Sequence, residues 1–189
     1  MDAFWISFWV IFVAELGDKS QLMALAFAAR YRTLPVLVGI SVATALVHAF
    51  SVGVGALLQV AIPTRPVSVI AGLAFFGFAF WTHRGEHLTA AEKARTERST
   101  RSAVLAASVA FFLAELGDKT MLATVTLATR EGLFGTWAGS TVGMVAADAI
   151  AIWVGRQLGR RLPERVVRVG AAAGFVVFGL LLVGRGILG

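Results

Sequence analysis

Six apolar stretches separated by short polar ones dominate the chain, at residues 4–27, 34–60, 67–81, 103–128, 134–153 and 166–188. Most are close to the roughly 20 residues a helix needs to cross a hydrocarbon core. The pattern predicts an all-α integral membrane protein with six transmembrane helices. One long polar stretch interrupts it, where Arg84, Glu86, Glu92, Lys93, Arg95, Glu97, Arg98 and Arg101 cluster. This divides the chain into a first three-helix unit (1–83), a charged linker (84–101) and a second three-helix unit (102–189). Within the linker, Thr89-Ala90-Ala91-Glu92 has the capping-box pattern and predicts a short solvated helix.

Composition agrees with the patterning. Hydrophobic residues make up 58% of the chain and charged residues 15%, and the mean hydropathy is +0.80, well outside the range of an ordinary soluble domain. Cysteine is absent, so disulfides and thiolate metal ligands are excluded, and any metal must be held by oxygen or imidazole. The first stretch is expected to be retained rather than cleaved as a signal peptide, because Met1-Asp2-Ala3 supplies no positive segment ahead of it.

The net charge of +6 could suggest nucleic acid, but the basic residues sit in short loops with no aromatic-studded basic face, so no nucleic-acid partner is expected. Topology accounts for them better. Arg30 and Arg32 follow the first stretch, five cations follow the third, and Arg156, Arg160, Arg161, Arg165 and Arg168 follow the fifth, against only Arg65, Arg130 and Arg185 on the other side. The positive-inside rule then predicts a multi-pass protein of the inner (plasma) membrane with a cytoplasmic linker and both termini outside.

The two units align without a gap at an offset of one hundred: ten of the nineteen positions from Phe12 to Arg30 match Phe112 to Arg130. Gly39 matches Gly139, Gly55 matches Gly155, and Phe75 and Phe78 match Phe175 and Phe178. Three crossings per unit oblige the second to enter the membrane from the opposite side. Two inverted three-helix repeats are therefore predicted, an arrangement that brings equivalent segments together near the midplane.

The best-matched segment is also the most polar at depth: Glu15-Leu16-Gly17-Asp18-Lys19-Ser20 returns as Glu115-Leu116-Gly117-Asp118-Lys119-Thr120. A charged side chain at the bilayer centre costs roughly 2.5–3.5 kcal/mol even on lenient scales, so such residues face a protein interior or a cavity and act there. The three-residue spacing of Glu15 and Asp18, and of Glu115 and Asp118, puts each pair on one helix face. Gly17 and Gly117 allow the helix to kink or unwind at this point. Four acids facing one axis require protons or a cation to neutralise them, which makes occupancy by metal and by proton mutually exclusive. Hard or borderline divalent cations such as Mn²⁺ and Ca²⁺ suit such an oxygen-rich shell.

Lys19 and Lys119 admit two roles, as standing partners of the carboxylates or as counter-ions that take a carboxylate when the metal leaves. Ser20 and Thr120 can lend hydroxyl oxygens or bond back along their own helices. Gln21 adds a polar group beside the first motif. The glycine, lysine and hydroxyl of the motif lack the spacing of a phosphate loop. Outside the motifs the duplication breaks in charge at one place, where His48 aligns with Asp148. A buried imidazole is often a neutral core group bonded to a nearby carbonyl. Next to the acids it would instead accept protons and favour Mn²⁺ over Ca²⁺, while Asp148 would be an outer ligand or proton carrier.

A twice-occurring E-x-G-D-[KR]-[ST] motif in a protein of six spans and two halves resembles the cation/proton antiporter family of bacterial manganese exporters and eukaryotic Golgi manganese/calcium transporters. The likeness covers nearly the whole chain, and both motif copies are complete. The resemblance implies export of Mn²⁺, or of Ca²⁺, from the cytoplasm in exchange for protons, with the metal as substrate, no cofactor, and Glu15, Asp18, Glu115 and Asp118 as ligands. Two other classes stay open on the residues alone: an exporter of a small organic cation or amino acid, and a membrane scaffold. An enzyme is not expected, since no nucleophile with a base and no cofactor motif appears.

Overall fold

The computed structural model describes residues 2–61, 64–84, 90–91, 94, 102–158 and 164–188. Its principal elements are α1 Asp2–Glu15, α2 Lys19–Arg30, α3 Thr33–Ala61, α4 Thr64–Arg84, α5 Ala103–Glu115, α6 Lys119–Ala128, α7 Leu133–Leu158 and α8 Glu164–Leu188. No strand occurs among the described residues, and the protein is all-α. Thr89 and Glu92, which carry the capping-box pattern of the linker, lie outside the described residues.

The six continuous helices expected from hydropathy are corrected at two places: stretches 4–27 and 103–128 are each two helices, broken at the motif. Gly17 and Gly117 adopt φ of 74° and 80°, and no other described residue has positive φ. That left-handed conformation is open to glycine and cannot continue a right-handed helix. The aspartate that follows is extended, and the next helix starts at the lysine. Among the described residues, α3 and α7 alone contain stretches long and apolar enough to cross a membrane unaided, over Thr33–Leu58 and Leu133–Gln157. The break leaves α5, for example, too short to do so alone.

Helix α1 packs along α7, α5 along α3, and α4 along α8, while α3 and α7 also touch each other, Thr44 meeting Met144. The first two contacts are equivalents under the hundred-residue offset. Glycine makes both possible: a Cβ on Gly39 would lie 2.6 Å from the Val104 carbonyl oxygen, and one on Gly139 would collide with the backbone of Phe4. These are the close helix approaches that small residues permit in apolar surroundings.

Contacts also sort the loops into two ends of the bundle. At one end α1 and α7 begin together, a Cβ on Gly135 lying 3.1 Å from the Phe4 amide nitrogen. At the other end, α7 and α2 finish together, where Arg156 donates to the Ala28 carbonyl at 3.0 Å. This second end holds a cavity of about 760 Å³ lined in part by Arg30, Arg32 and Arg156. The flanks are apolar outside, with Trp5, Phe50, Leu57, Phe134, Trp153 and Ile187 exposed. Two buried clusters fill the interior, one around Phe27, Ile40 and Phe111 and one around Ile11, Met144, Phe75 and Phe175.

Candidate functional site

Both motif copies sit where one helix stops and the next starts. Glu15 and Glu115 are the last residues of α1 and α5, while Asp18 and Asp118 are the N-caps of α2 and α6. The shared helix face expected for each pair is therefore not what joins them, because the helix ends between its members. Hydroxyls do part of the joining: the Ser20 hydroxyl contacts Glu15 Oε1 and, at 3.3 Å, Asp18 Oδ2. In the second copy Thr120 donates to Glu115 Oε2 at 2.8 Å. The glycine amides freed by the break find partners four residues on, Gly17 donating to Gln21 Oε1 at 2.9 Å and Gly117 reaching Met121 Sδ at 3.1 Å. Gln21 also donates from Nε2 to the Ala147 carbonyl at 3.4 Å, tying the first motif to α7 beside Asp148.

Neither aspartate caps its helix through its side chain. Each meets the lysine of the opposite motif instead. Lys119 Nζ stands 2.5 Å from Asp18 Oδ1, and Lys19 Nζ stands 3.1 Å from Asp118 Oδ1. The position of an anion at a helix N-terminus adds to this, since the first-turn amides and the helix dipole favour negative charge there.

All five acids singled out by the sequence, Glu15, Asp18, Glu115, Asp118 and Asp148, are at most 2% exposed. They act on one another electrostatically: Glu15 feels Asp148, Glu115 and Asp18, and Asp148 feels Asp18. Two lysines face five carboxylates, so the fully ionised cluster carries an excess of negative charge in a buried position. Among the described residues five of its oxygens have neither a hydrogen-bond nor an ion-pair partner, namely Glu15 Oε2, Glu115 Oε1, Asp118 Oδ2 and both oxygens of Asp148. Such groups are costly unless a proton or a cation compensates them. Among the described residues no three His, Asp or Glu side chains are gathered tightly enough to hold a metal ion. The acids form a neighbourhood divided between lysine pairs, hydroxyl contacts and free oxygens.

His48 stands apart from this neighbourhood. It is buried, and its one polar contact among the described residues is Nδ1 with Thr141 Oγ1 at 3.4 Å. Sequence reasoning did not single out Thr141, nor the contact of Thr44 Oγ1 with Met144 Sδ at 3.5 Å. Thr44 and Met144 occupy equivalent positions of the two halves, so the hundred-residue offset carried a signal for that second contact.

Known proteins resemble the chain throughout its length. A family model described as "Divalent cation/proton antiporter GDT1" matches residues 3–89 and 103–188. A protein of Vibrio cholerae serotype O1 named "Putative manganese exporter" is 30% identical over 183 residues, covering 95% of this chain and 90% of that protein. A GDT1-like protein of Synechocystis sp. is 29% identical over 199 residues, with 96% of each chain covered. A chloroplastic GDT1-like protein of Oryza sativa subsp. japonica is 30% identical over 207 residues, and there the match spans 94% of this chain but only 59% of the relative. No solved structure matches the chain. With buried acids at two helix breaks and a family match over both halves, this chain belongs to the divalent cation/proton antiporter family GDT1, a family of transporters and not of enzymes.

Proposed function

We propose that the protein exports Mn²⁺ from the cytoplasm across the inner (plasma) membrane in exchange for protons, with Ca²⁺ as the second ion its oxygen-rich site suits. The observation that carries this reading is the buried excess of carboxylate over ammonium, with free oxygens on Glu15, Glu115 and Asp148. A divalent cation or two protons balance such a cluster equally well, and alternating between them is antiport. The name of the Vibrio cholerae relative supports manganese as the metal.

In this mechanism the glutamates and Asp148 supply oxygens to the cation, and Asp18 and Asp118 join when their lysines yield. A cation entering the cluster competes with Lys19 and Lys119 for the aspartates, which makes the lysines counter-ions that restore charge balance as the metal leaves. Six spans arranged as inverted repeats fit this role, the pairs α1 with α2 and α5 with α6 each forming one broken span. Half-helix ends at a midplane site recur in secondary transporters. The arginines at the end shared by Arg30, Arg32 and Arg156 support a cytoplasmic location for that end and an outside location for both termini.

Purified protein in liposomes loaded with a pH dye tests the proposal. Added Mn²⁺ should enter vesicles containing inverted protein while the lumen turns alkaline as protons leave in exchange, with K⁺ and valinomycin clamping the potential. Mn²⁺ movement without proton movement would replace antiport with uniport. Movement of amines or amino acids but not of metals would replace the substrate.

A further inference from the structure

Hydroxyls in the helices of this protein commonly bond back to the carbonyl one turn earlier. Ser41 does so to Leu37, Ser51 to Val47, Thr124 to Thr120 and Thr126 to Leu122, at 2.8–2.9 Å. Ser7 on α1 and Thr136 and Ser140 on α7 do not. Each is 0% exposed, and none has a hydrogen-bond partner among the described residues. A buried hydroxyl left unpaired costs about 1–3 kcal/mol, so three on two helices that pack together call for an explanation.

Their places along the helices supply one. Ser7, Ile11 and Glu15 follow one i+4 ridge of α1, and Thr136, Ser140, Met144 and Asp148 follow one i+4 ridge of α7. All seven are fully buried. Each ridge runs from hydroxyl through a single apolar residue to a carboxylate, with about 12 Å between the hydroxyls of Ser7 or Ser140 and their acids at 1.5 Å per residue. The equivalent ridges of the other half read Ala107, Phe111, Glu115 on α5 and Val36, Ile40, Thr44, His48 on α3. There the three hydroxyls are replaced by Ala107, Val36 and Ile40, which belong with Phe111 to a continuous apolar cluster. The two approaches to the acids are therefore unlike, one polar with a one-residue apolar layer, the other apolar throughout its outer turns.

We infer that Ser7, Thr136 and Ser140 line an access route by which water and water-borne cations pass between the end of the bundle where α1 and α7 begin and the acids at Glu15 and Asp148, with Ile11 and Met144 as the seal across it. A hydroxyl both donates and accepts, so a row of them solvates a cation through oxygen and passes a proton along water, which methyl groups cannot do. The purpose of the route rests on the transport reading above. Its existence does not.

The absence of cysteine makes a labelling test clean. Single variants Ser7→Cys, Thr136→Cys and Ser140→Cys, and at the equivalent positions Ala107→Cys, Val36→Cys and Ile40→Cys, are reacted in proteoliposomes with a membrane-impermeant cationic thiosulfonate applied to one face at a time. The hydroxyl-derived set should react roughly tenfold faster or more, and from the face where α1 begins, because a polar path hydrates more readily than an apolar one. Equal rates in the two sets, or faster reaction of the 36, 40 and 107 set, would overturn the route. Should the Cys variants fold poorly, Ser140→Ala gives the second reading: Mn²⁺ transport falls roughly tenfold, the scale of one lost hydrogen-bonding group, and Ser140→Thr retains it. Normal transport in both Ser140→Ala and Thr136→Ala would overturn the route as well. A wild-type protein that moves no metal yet shows the labelling contrast would retire the transport reading and leave the route standing.

Discussion

Lys119 and Asp18 stand 2.5 Å apart, although they belong to motifs separated by one hundred residues, and Lys19 repeats the contact on Asp118 at 3.1 Å. The pairs cross between the halves, so each motif neutralises the aspartate of the other and neither half-site has its charge balance alone. The crossing is not symmetric in depth: the Lys119 side chain is 2% exposed and that of Lys19 is 17% exposed. Removing one partner of a buried pair leaves an uncompensated charge, whereas partial solvent contact softens the loss.

Lys119→Met should therefore destabilise the detergent-solubilised protein by about 3–5 kcal/mol at neutral pH, the range for breaking a buried pair, and Lys19→Met by clearly less. Adding Asp18→Asn to Lys119→Met should recover most of the loss, because both charges are then gone. Denaturant unfolding of five proteins measures this: wild type, Lys119→Met, Asp18→Asn and their double variant, which close a double-mutant cycle, and Lys19→Met beside them. Equal losses for the two single lysine variants would mean that depth does not govern the pairs.

Glu15→Gln and Glu115→Gln should each reduce Mn²⁺ transport at least about tenfold while leaving the helix content unchanged. The amide keeps the shape and a hydrogen bond from Ser20 or Thr120, but it forfeits the charge and the exchangeable proton. Initial rates of metal uptake into proteoliposomes, set beside circular dichroism, decide it. Near-normal rates in both variants would remove the glutamates from the ion path.

The chemistry of this site was more legible in the sequence than its geometry. Charge at depth and exact recurrence marked Glu15, Asp18, Glu115 and Asp118, and the offset marked Asp148 against His48, because electrostatic cost is a property of residue type and burial. The helix-face argument for the acid pairs failed because it assumed a continuous helix through Gly17 and Gly117, whose φ of 74° and 80° ends it. Glycine signalled that a break was allowed, but only tertiary structure shows it taken. The crossing of Lys119 to Asp18 was unreadable for a different reason: aligned copies are identical at both positions, so sequence cannot say which lysine meets which aspartate.

Gly117 offers a test of the break itself. A Cβ there meets nothing within 4 Å, so the cost of Gly117→Ala is conformational alone, about 1–2 kcal/mol for a non-glycine residue in the left-handed region. Gly117→Asn should cost less, since asparagine tolerates that region better. Thermal unfolding should rank wild type above Asn above Ala, and a ranking with Ala on top would mean that the break is dispensable.

Proton competition gives the pH dependence its sign. Carboxylates must shed their protons to hold a metal, so protons added as pH falls displace it, and apparent Mn²⁺ affinity should weaken toward acid by up to about tenfold per pH unit for each proton exchanged. Mn²⁺ binding followed by isothermal titration in two buffers of different ionisation heat reads both the affinity and the protons released. Affinity that stays flat between pH 8 and pH 6, with no proton release, would remove the antiport coupling.

Asp148 separates stability from function most sharply. Its carboxylate is 0% exposed, neither oxygen has a hydrogen-bond partner, and Asp18 repels it, so the folded protein carries its charge at a cost. Neutralising a strained ionisable group at a functional site commonly stabilises a fold while impairing its activity. Asp148→Asn should thus raise the unfolding temperature and at the same time lower transport of both Mn²⁺ and Ca²⁺. His48→Ala should behave differently, because the imidazole contacts Thr141 and none of the acids. It leaves a cavity, lowers stability by about 1–3 kcal/mol as buried large-to-small changes do, and reduces the two metals alike. A selective loss of Mn²⁺ in His48→Ala would bring the imidazole into the coordination of the ion after all, and an Asp148→Asn protein that is less stable and fully active would confine the site to the two motifs.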